Sequence, residues 1–178
     1  QWGYSYFFPA FAVCNHITSW GKQSLKFRTD VAMMGKMGYD IVVNNLSEKD
    51  LAFSKQAVTT YKSLSDVIWH GDLYRLVNPG EKPFASAMYV NEDKSRAVVF
   101  NYFVSNRFML TGSPEPVKFK GLDANKKYSV KEINLYPGTR PVPGDSKVYS
   151  GDFLMKIGFN PQVNGWRTSV VLELNEVK

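Results

Sequence analysis

Ser95-Arg96-Ala97-Val98-Val99-Phe100-Asn101-Tyr102-Phe103-Val104 is the stretch that decides the fold class. It is rich in β-branched and aromatic residues. The turn signals Asn91-Glu92-Asp93 and Thr111-Gly112-Ser113-Pro114 stand on either side, so it reads as a strand. Further alternating segments lie at Ser86–Val90, Val117–Lys120, Lys127–Leu135 and Ser169–Leu174. Turns at Leu122-Asp123-Ala124-Asn125, Pro141-Val142-Pro143-Gly144 and Val163-Asn164-Gly165 separate them. Short strands at this spacing predict an antiparallel β-sandwich over residues 72–178. Pro137–Ser146 carries the weakest signal and is expected to be the least ordered stretch.

Upstream the period changes. Leu51, Val58, Tyr61, Leu64 and Ile68 mark one face of a helix over Glu48–Trp69. Ser47 is placed to cap it, Asp50 sits three residues later, and Leu46 and Leu51 have the spacing of a hydrophobic staple. Before it, Tyr4-Ser5-Tyr6-Phe7-Phe8 is a short apolar run ended by Pro9, the pattern of a strand buried on both faces. A loop, Cys14–Gly21, and a helical pattern, Ser24–Met37 with Phe27, Val31 and Met34 on one face, follow. Strand, loop and helix make one β/α unit, which cannot bury a parallel strand alone. The expected class is therefore α+β, with residues 1–71 and 72–178 as its two parts.

Composition narrows the function. The 178 residues include 44% hydrophobic and 15% aromatic side chains, enough for a packed core. The net charge of +6 comes from scattered Lys and Arg with no basic block, which reads as a solvated surface rather than a nucleic-acid or membrane footprint. Lys118, Lys120, Lys126, Lys127 and Lys131, with Phe119 and Tyr128 beside them, form the densest basic cluster, a weak imitation of a stacking platform. The single Cys14 excludes an internal disulfide. It leaves the compartment open, with an exported bacterial location, periplasmic or secreted, preferred to the cytoplasm. His16 and His70 lie far apart and no Cys or His pair has ligand spacing, so no metal and no cofactor is expected. The chain starts at Gln1-Trp2 without a Met or a basic leader, and the start reads as a cut inside a larger protein.

Trp2-Gly3-Tyr4-Ser5-Tyr6-Phe7-Phe8-Pro9-Ala10 and Ser24 through Asp40 resemble the end of the catalytic barrel in family 36 glycoside hydrolases, the melibiase-like α-galactosidases. Gly71-Asp72-Leu73-Tyr74-Arg75-Leu76, Asp93 through Phe100, Lys120-Gly121-Leu122-Asp123 and Tyr149 through Met155 resemble later phrases of that family, in the same order. The resemblance implies the last β/α unit of a (β/α)8 barrel plus a helix, followed by the C-terminal β-domain. It implies a parent that hydrolyses terminal α-galactosides with retention. Such chemistry uses two carboxylates about 5 Å apart. The family's two Asp motifs, a Lys-Trp-Asp type phrase and one following Cys-Ser/Ala-Gly-Gly, do not occur here, so no catalytic residue is assigned and the chain is expected to be inactive alone.

Barrel active sites are built from β/α loops, and Asn15, His16 and Trp20 fall in such a loop by the resemblance. Trp stacks on sugar faces, and Asn or His bonds hydroxyls, so these three are the candidate substrate-binding residues of the intact enzyme. A purely loop-shaping role stays open for them. Asp30 and Asp40 are read as lying on or after the helix, away from the barrel rim, and Asp72 as a turn or cap residue. The implied partners are an α-galactoside, the rest of the barrel and a second copy of the enzyme. The alternative is a non-catalytic carbohydrate-binding sandwich presenting Tyr102, Tyr149 or Trp166.

Overall fold

The computed structural model describes residues 1–104 and 115–178. The expected turn at Thr111–Pro114 lies outside the described residues. Contacts divide the chain into two compact units: Gln1–His70 with Asn134–Arg140, and Gly71–Ile133 with Pro141–Lys178.

In the first unit the strand expected at Tyr4–Phe8 is absent. Tyr4–Tyr6 and Ala10–Ala12 form 3-10 turns instead, and the rings of Tyr4, Tyr6, Phe7, Phe8 and Phe11 are exposed. Aromatic composition favours a strand only where a neighbouring strand and a covering layer exist, and this run has neither. The strand falls in what read as a loop: β1, Cys14–Thr18. The helix that follows, α1, is only Leu25–Ala32, capped by Ser24, whose Oγ accepts from the Phe27 N–H at 3.2 Å. It buries Leu25, Thr29, Asp30 and Ala32 rather than a Phe27–Val31 face. Lys36 and Met37, read as the end of that helix, instead open β2, Lys36–Asp40, parallel to β1.

The long helix α2, Glu48–His70, has the expected bounds and cap, but of the expected face only Tyr61, Leu64 and Ile68 are buried, with Leu51 and Val58 half-buried. Ser47 Oγ accepts from the Asp50 N–H at 3.1 Å and donates to its carboxylate at 2.8 Å. Phe53, Ala57, Tyr61, Leu64, Val67 and Ile68 are buried. Residues 134–140 return to this unit. The Tyr136 hydroxyl donates to Asp50 Oδ1 at 3.0 Å, and its ring meets Phe53 with centroids 5.3 Å apart.

The second unit holds β3 (Asp72–Val77), β4 (Phe84–Val90), β5 (Arg96–Phe103), β6 (Lys127–Ile133), β7 (Lys147–Ser150) and β8 (Ser169–Glu176), with the short helix α3 (Gly151–Lys156) between β7 and β8. They form one antiparallel sheet in the order β3-β4-β5-β8-β6-β7. One face carries Met88, Val90, Ala97, Val99, Val130, Val170, Leu172 and Leu174, covered by Val117, Phe119, Leu122, Val142, Leu154 and Phe159. Expected strands at 86–90, 95–104, 127–135 and 169–174 are present within a few residues. Val117 makes only an isolated bridge to Phe159. Within Pro137–Ser146, expected to be the least ordered stretch, Val142 and Asp145 are tied to β6 by hydrogen bonds. Glu132, itself 2% exposed, accepts from the Val142 N–H at 2.7 Å and is gripped by Arg167 at 2.7 and 2.8 Å, while Asp145 accepts from the Glu132 N–H at 2.6 Å.

Candidate functional site

Burial alternates along β1, and the register of β1 with β2 sorts the side chains by face. His16 lies opposite Gly38, Ile17 opposite Tyr39, and Thr18 opposite Asp40. Asn15 and Ile17 are buried, with α1 and α2 supplying their cover; Leu25, Ala32, Phe53 and Ala57 share a core with Ile17. Cys14, His16 and Asp40 on the other face are exposed.

Three anchors hold this pair of strands. An Arg28 guanidinium N–H donates to the Thr18 carbonyl, tying α1 to the carboxyl end of β1. The Tyr61 hydroxyl on α2 donates to the Gly35 carbonyl at 2.6 Å and accepts from Met37 N–H at 3.2 Å and Trp69 Nε1–H at 3.0 Å, fixing the start of β2. Gly35 must be glycine, because a Cβ there would lie 2.6 Å from the Val13 carbonyl oxygen and 2.7 Å from Asn15 Nδ2.

The sequence candidates separate on this scaffold. Asn15 lies in the strand, not a loop, and turns inward. It donates to the Ala32 carbonyl at 3.1 Å and accepts from Gln1. His16 faces solvent, with Nδ1 3.7 Å from Asp40 Oδ2 and the two side chains 60% and 67% exposed. Trp20 is 80% exposed, and its backbone N–H donates to Thr18 Oγ1 at 3.4 Å. Asp40, read from sequence as remote, therefore stands at the carboxyl end of β2 beside His16. The missed signal was Lys36–Asp40, whose first two residues were read as the end of the helix Ser24–Met37 and whose last three were assigned to no element. Asp30 is fully buried, ion-paired to Lys26 at 2.5 Å and bonded by Asn134. Asp72 opens β3 opposite Val90, a strand position rather than a turn. Cys14 is exposed.

Elsewhere, Phe119 and Tyr128 are buried, so the rings beside the lysine cluster are core residues and not offered for stacking. Tyr102 is buried, and Tyr149 stacks on Phe153 with centroids 5.7 Å apart. Trp166 is fully exposed on a turn in which Asn164 Oδ1 accepts from the Trp166 and Arg167 N–H groups at 2.8 and 3.0 Å. Among the described residues no three His, Cys, Asp or Glu side chains gather to hold a metal, and no helix is long and apolar enough to cross a membrane.

Two family models match in order along the chain. Residues 1–71 match Melibiase, and residues 84–174 match the Glycosyl hydrolase family 36 C-terminal domain. The chain belongs to glycosyl hydrolase family 36. Its relatives in that family include Alpha-galactosidase AgaA of Geobacillus stearothermophilus, 31% identical over 85% of this chain and 20% of that protein. Alpha-galactosidase 2 of Hypocrea jecorina is 27% identical over 99% of this chain and 22% of its own length. The crystal structure of the family 36 α-galactosidase AgaA superposes with a TM-score of 0.83 at 30% identity, over 99% of this chain and 24% of that one. A variant of the same enzyme, solved in complex with raffinose, superposes with a TM-score of 0.83 at 29% identity, over 99% of this chain and 24% of that one. The chain thus spans about a fifth of the length of the curated family 36 relatives it matches.

Proposed function

We propose that this chain is the C-terminal part of a retaining α-galactosidase, inert by itself. In this reading β1, α1 and β2 complete the wall of a (β/α)8 barrel. Residues 72–178 form the C-terminal β-domain, with the segments around Val117–Leu122 and α3 as the second layer of a sandwich. The carrying observation is the parallel β1–β2 pair, covered by helices on one face and bare on the other, in a chain whose two family matches run in order. A barrel strand needs both faces covered. The bare face, with His16 and Asp40, would line the barrel interior, which upstream strands pairing at the edges of β1 and β2 would close off. The exposed Tyr4, Tyr6, Phe7, Phe8 and Phe11 would meet the same upstream chain. His16 and Trp20 would face the galactoside, while Asn15 supports β1 from behind.

The upstream part would supply both carboxylates. The purified chain is expected to leave p-nitrophenyl α-galactoside uncleaved, whereas a longer protein carrying it behind the two Asp motifs cleaves it with retention. Turnover by the chain alone that disappears on Asp40→Asn or Asp72→Asn would overturn the reading.

The carbohydrate-binding alternative now rests on Trp166, since Tyr102 is buried and Tyr149 is half-buried and stacked on Phe153. Calorimetric titration of the chain with raffinose measures it, and absence of heat at millimolar sugar removes it.

A further inference from the structure

We propose that Asn164 is a site of spontaneous deamidation, at which the backbone nitrogen of Gly165 closes a succinimide on the side-chain amide. The site lies in the second unit and does not depend on the α-galactosidase reading.

The sequence supplies the reactive pair. Asn164-Gly165 is the single Asn-Gly step in the chain. Asparagine amides are chemically labile, and glycine leaves the attacking nitrogen uncrowded. Both residues are exposed, in the turn that precedes β8. The Gly165 N–H has no hydrogen-bond partner among the described residues, so no bond has to be given up to free it. The turn also prepares the amide. Asn164 Oδ1 accepts from the Trp166 N–H at 2.8 Å and the Arg167 N–H at 3.0 Å. Negative charge gathers on this oxygen as a nitrogen adds to Cγ, and two backbone donors aimed at it lower such a barrier. Nδ2 donates to the Gln162 carbonyl at 3.1 Å, which fixes the amide plane. The floor of the turn is firm: Asn164 N–H donates to the Arg167 carbonyl at 2.9 Å, and Pro161 and Val163 are buried.

In the step, the Gly165 nitrogen gives its proton to solvent and bonds to Cγ. The Cγ–Nδ2 bond breaks, and ammonia leaves with a proton taken back from water. A second water opens the ring, at Cγ to give aspartate or at the backbone carbonyl to give isoaspartate. The net change is one water consumed and one ammonia released, with no oxidation or reduction. The two products differ in consequence. Aspartate keeps an acceptor for both N–H groups and loses only the donor to Gln162. Isoaspartate routes the main chain through the side chain, adds a carbon to the turn and displaces Arg167. Arg167 Nη1 stands 2.7 and 2.8 Å from the two carboxylate oxygens of buried Glu132, so the isoaspartate form loosens that grip.

The test ages the intact protein that carries this chain in mildly alkaline buffer and follows Asn164 by peptide mapping. Asn125, exposed in another turn and followed by Lys126, is the reference in the same sample. The acid form at Asn164 should build up about tenfold faster than at Asn125, the effect of a modest drop in barrier. Gly165→Ala should remove most of that difference. A Cβ at this position meets nothing within 4 Å, so the variant keeps the turn. Isoaspartyl methyltransferase labels the isoaspartate fraction. Trypsin should cut the folded protein after Arg167 in that fraction, while fresh wild type and Asn164→Asp resist. Equal rates at Asn164 and Asn125, a Gly165→Ala variant as fast as wild type, or deamidation confined to the urea-unfolded protein would overturn the site. An isoaspartate fraction as resistant after Arg167 as fresh protein would overturn the loosening of Glu132.

Discussion

The two sheets of this chain solve the same burial problem in opposite ways. The six-stranded sheet of the second unit is antiparallel, and its central strands β4, β5 and β8 are buried along almost their whole length. All six of its strands come from residues 72–176, with β3, β4 and β5 paired in sequence order and β8 inserted between β5 and β6. The β1–β2 pair of the first unit is parallel, needs α1 as its crossover, and leaves one face bare. Antiparallel strands need no crossover helix between them, so one stretch of chain supplies this whole sheet. Two parallel strands are a fraction of a larger sheet, and the rest must come from elsewhere. The lesson is that the β-domain reads as self-sufficient and the first unit as a component.

The largest test of that contrast is in the β-domain core. Leu172→Ala, at a fully buried position in β8, should cost about 3 to 4 kcal/mol in urea unfolding because the surrounding sheet cannot collapse into the gap. A loss below about 1 kcal/mol would mean this sheet, too, depends on missing cover. Next comes an alkaline effect. Burial pushes the Tyr89 hydroxyl in β4 up to about 12, with Arg75 pulling the other way. The folded state holds this proton where the unfolded chain has lost it. Stability is therefore present below the ordinary tyrosine value of 10.0 and falls as pH rises toward about 12. The loss should reach roughly 2 to 3 kcal/mol, and Tyr89→Phe should flatten that part of the curve. A slope unchanged in Tyr89→Phe would place the cause in another group. The smallest effect belongs to the first unit. Phe7→Ser with Phe8→Ser removes rings that are 79% and 51% exposed, so unfolding should shift by less than about 0.5 kcal/mol per site, while light scattering shows less self-association. A large loss of stability would show that these rings already have a partner within the chain.

Legibility followed the range of the interactions. Helix α2 was readable because its cap and first-turn acid lie within a few residues of each other, although its buried face is centred on Phe53, Ala57, Tyr61, Leu64 and Ile68 rather than on the expected stripe with Leu51 and Val58. Strands β4, β5, β6 and β8 were readable from period-two alternation between turns. Strands β1 and β2 were not. Cys14-Asn15-His16-Ile17-Thr18 is half polar, Lys36–Asp40 contains a central glycine, and neither is a strand without the other, across a helix. The aromatic run at Tyr4–Phe8 erred in the opposite direction, with strand composition but no strand to pair with. The site inherited these errors. His16 and Trp20 were found by residue type, whereas Asp40 became a neighbour of His16 only once the register was known.

The amino-acid order alone determined the family, the antiparallel β-domain, the capped helix and the lack of both catalytic Asp motifs of the family, because each is written in local pattern or in a phrase of contiguous residues. Tertiary structure decided which residues share a face. It turned Asn15 inward onto Ala32, buried Asp30 against Lys26 and Asn134, drew residues 134–140 back to the first unit, and set His16 beside Asp40. Each of those depends on pairing between segments distant in sequence, and a one-residue change of register would exchange the buried face of a strand for the exposed one.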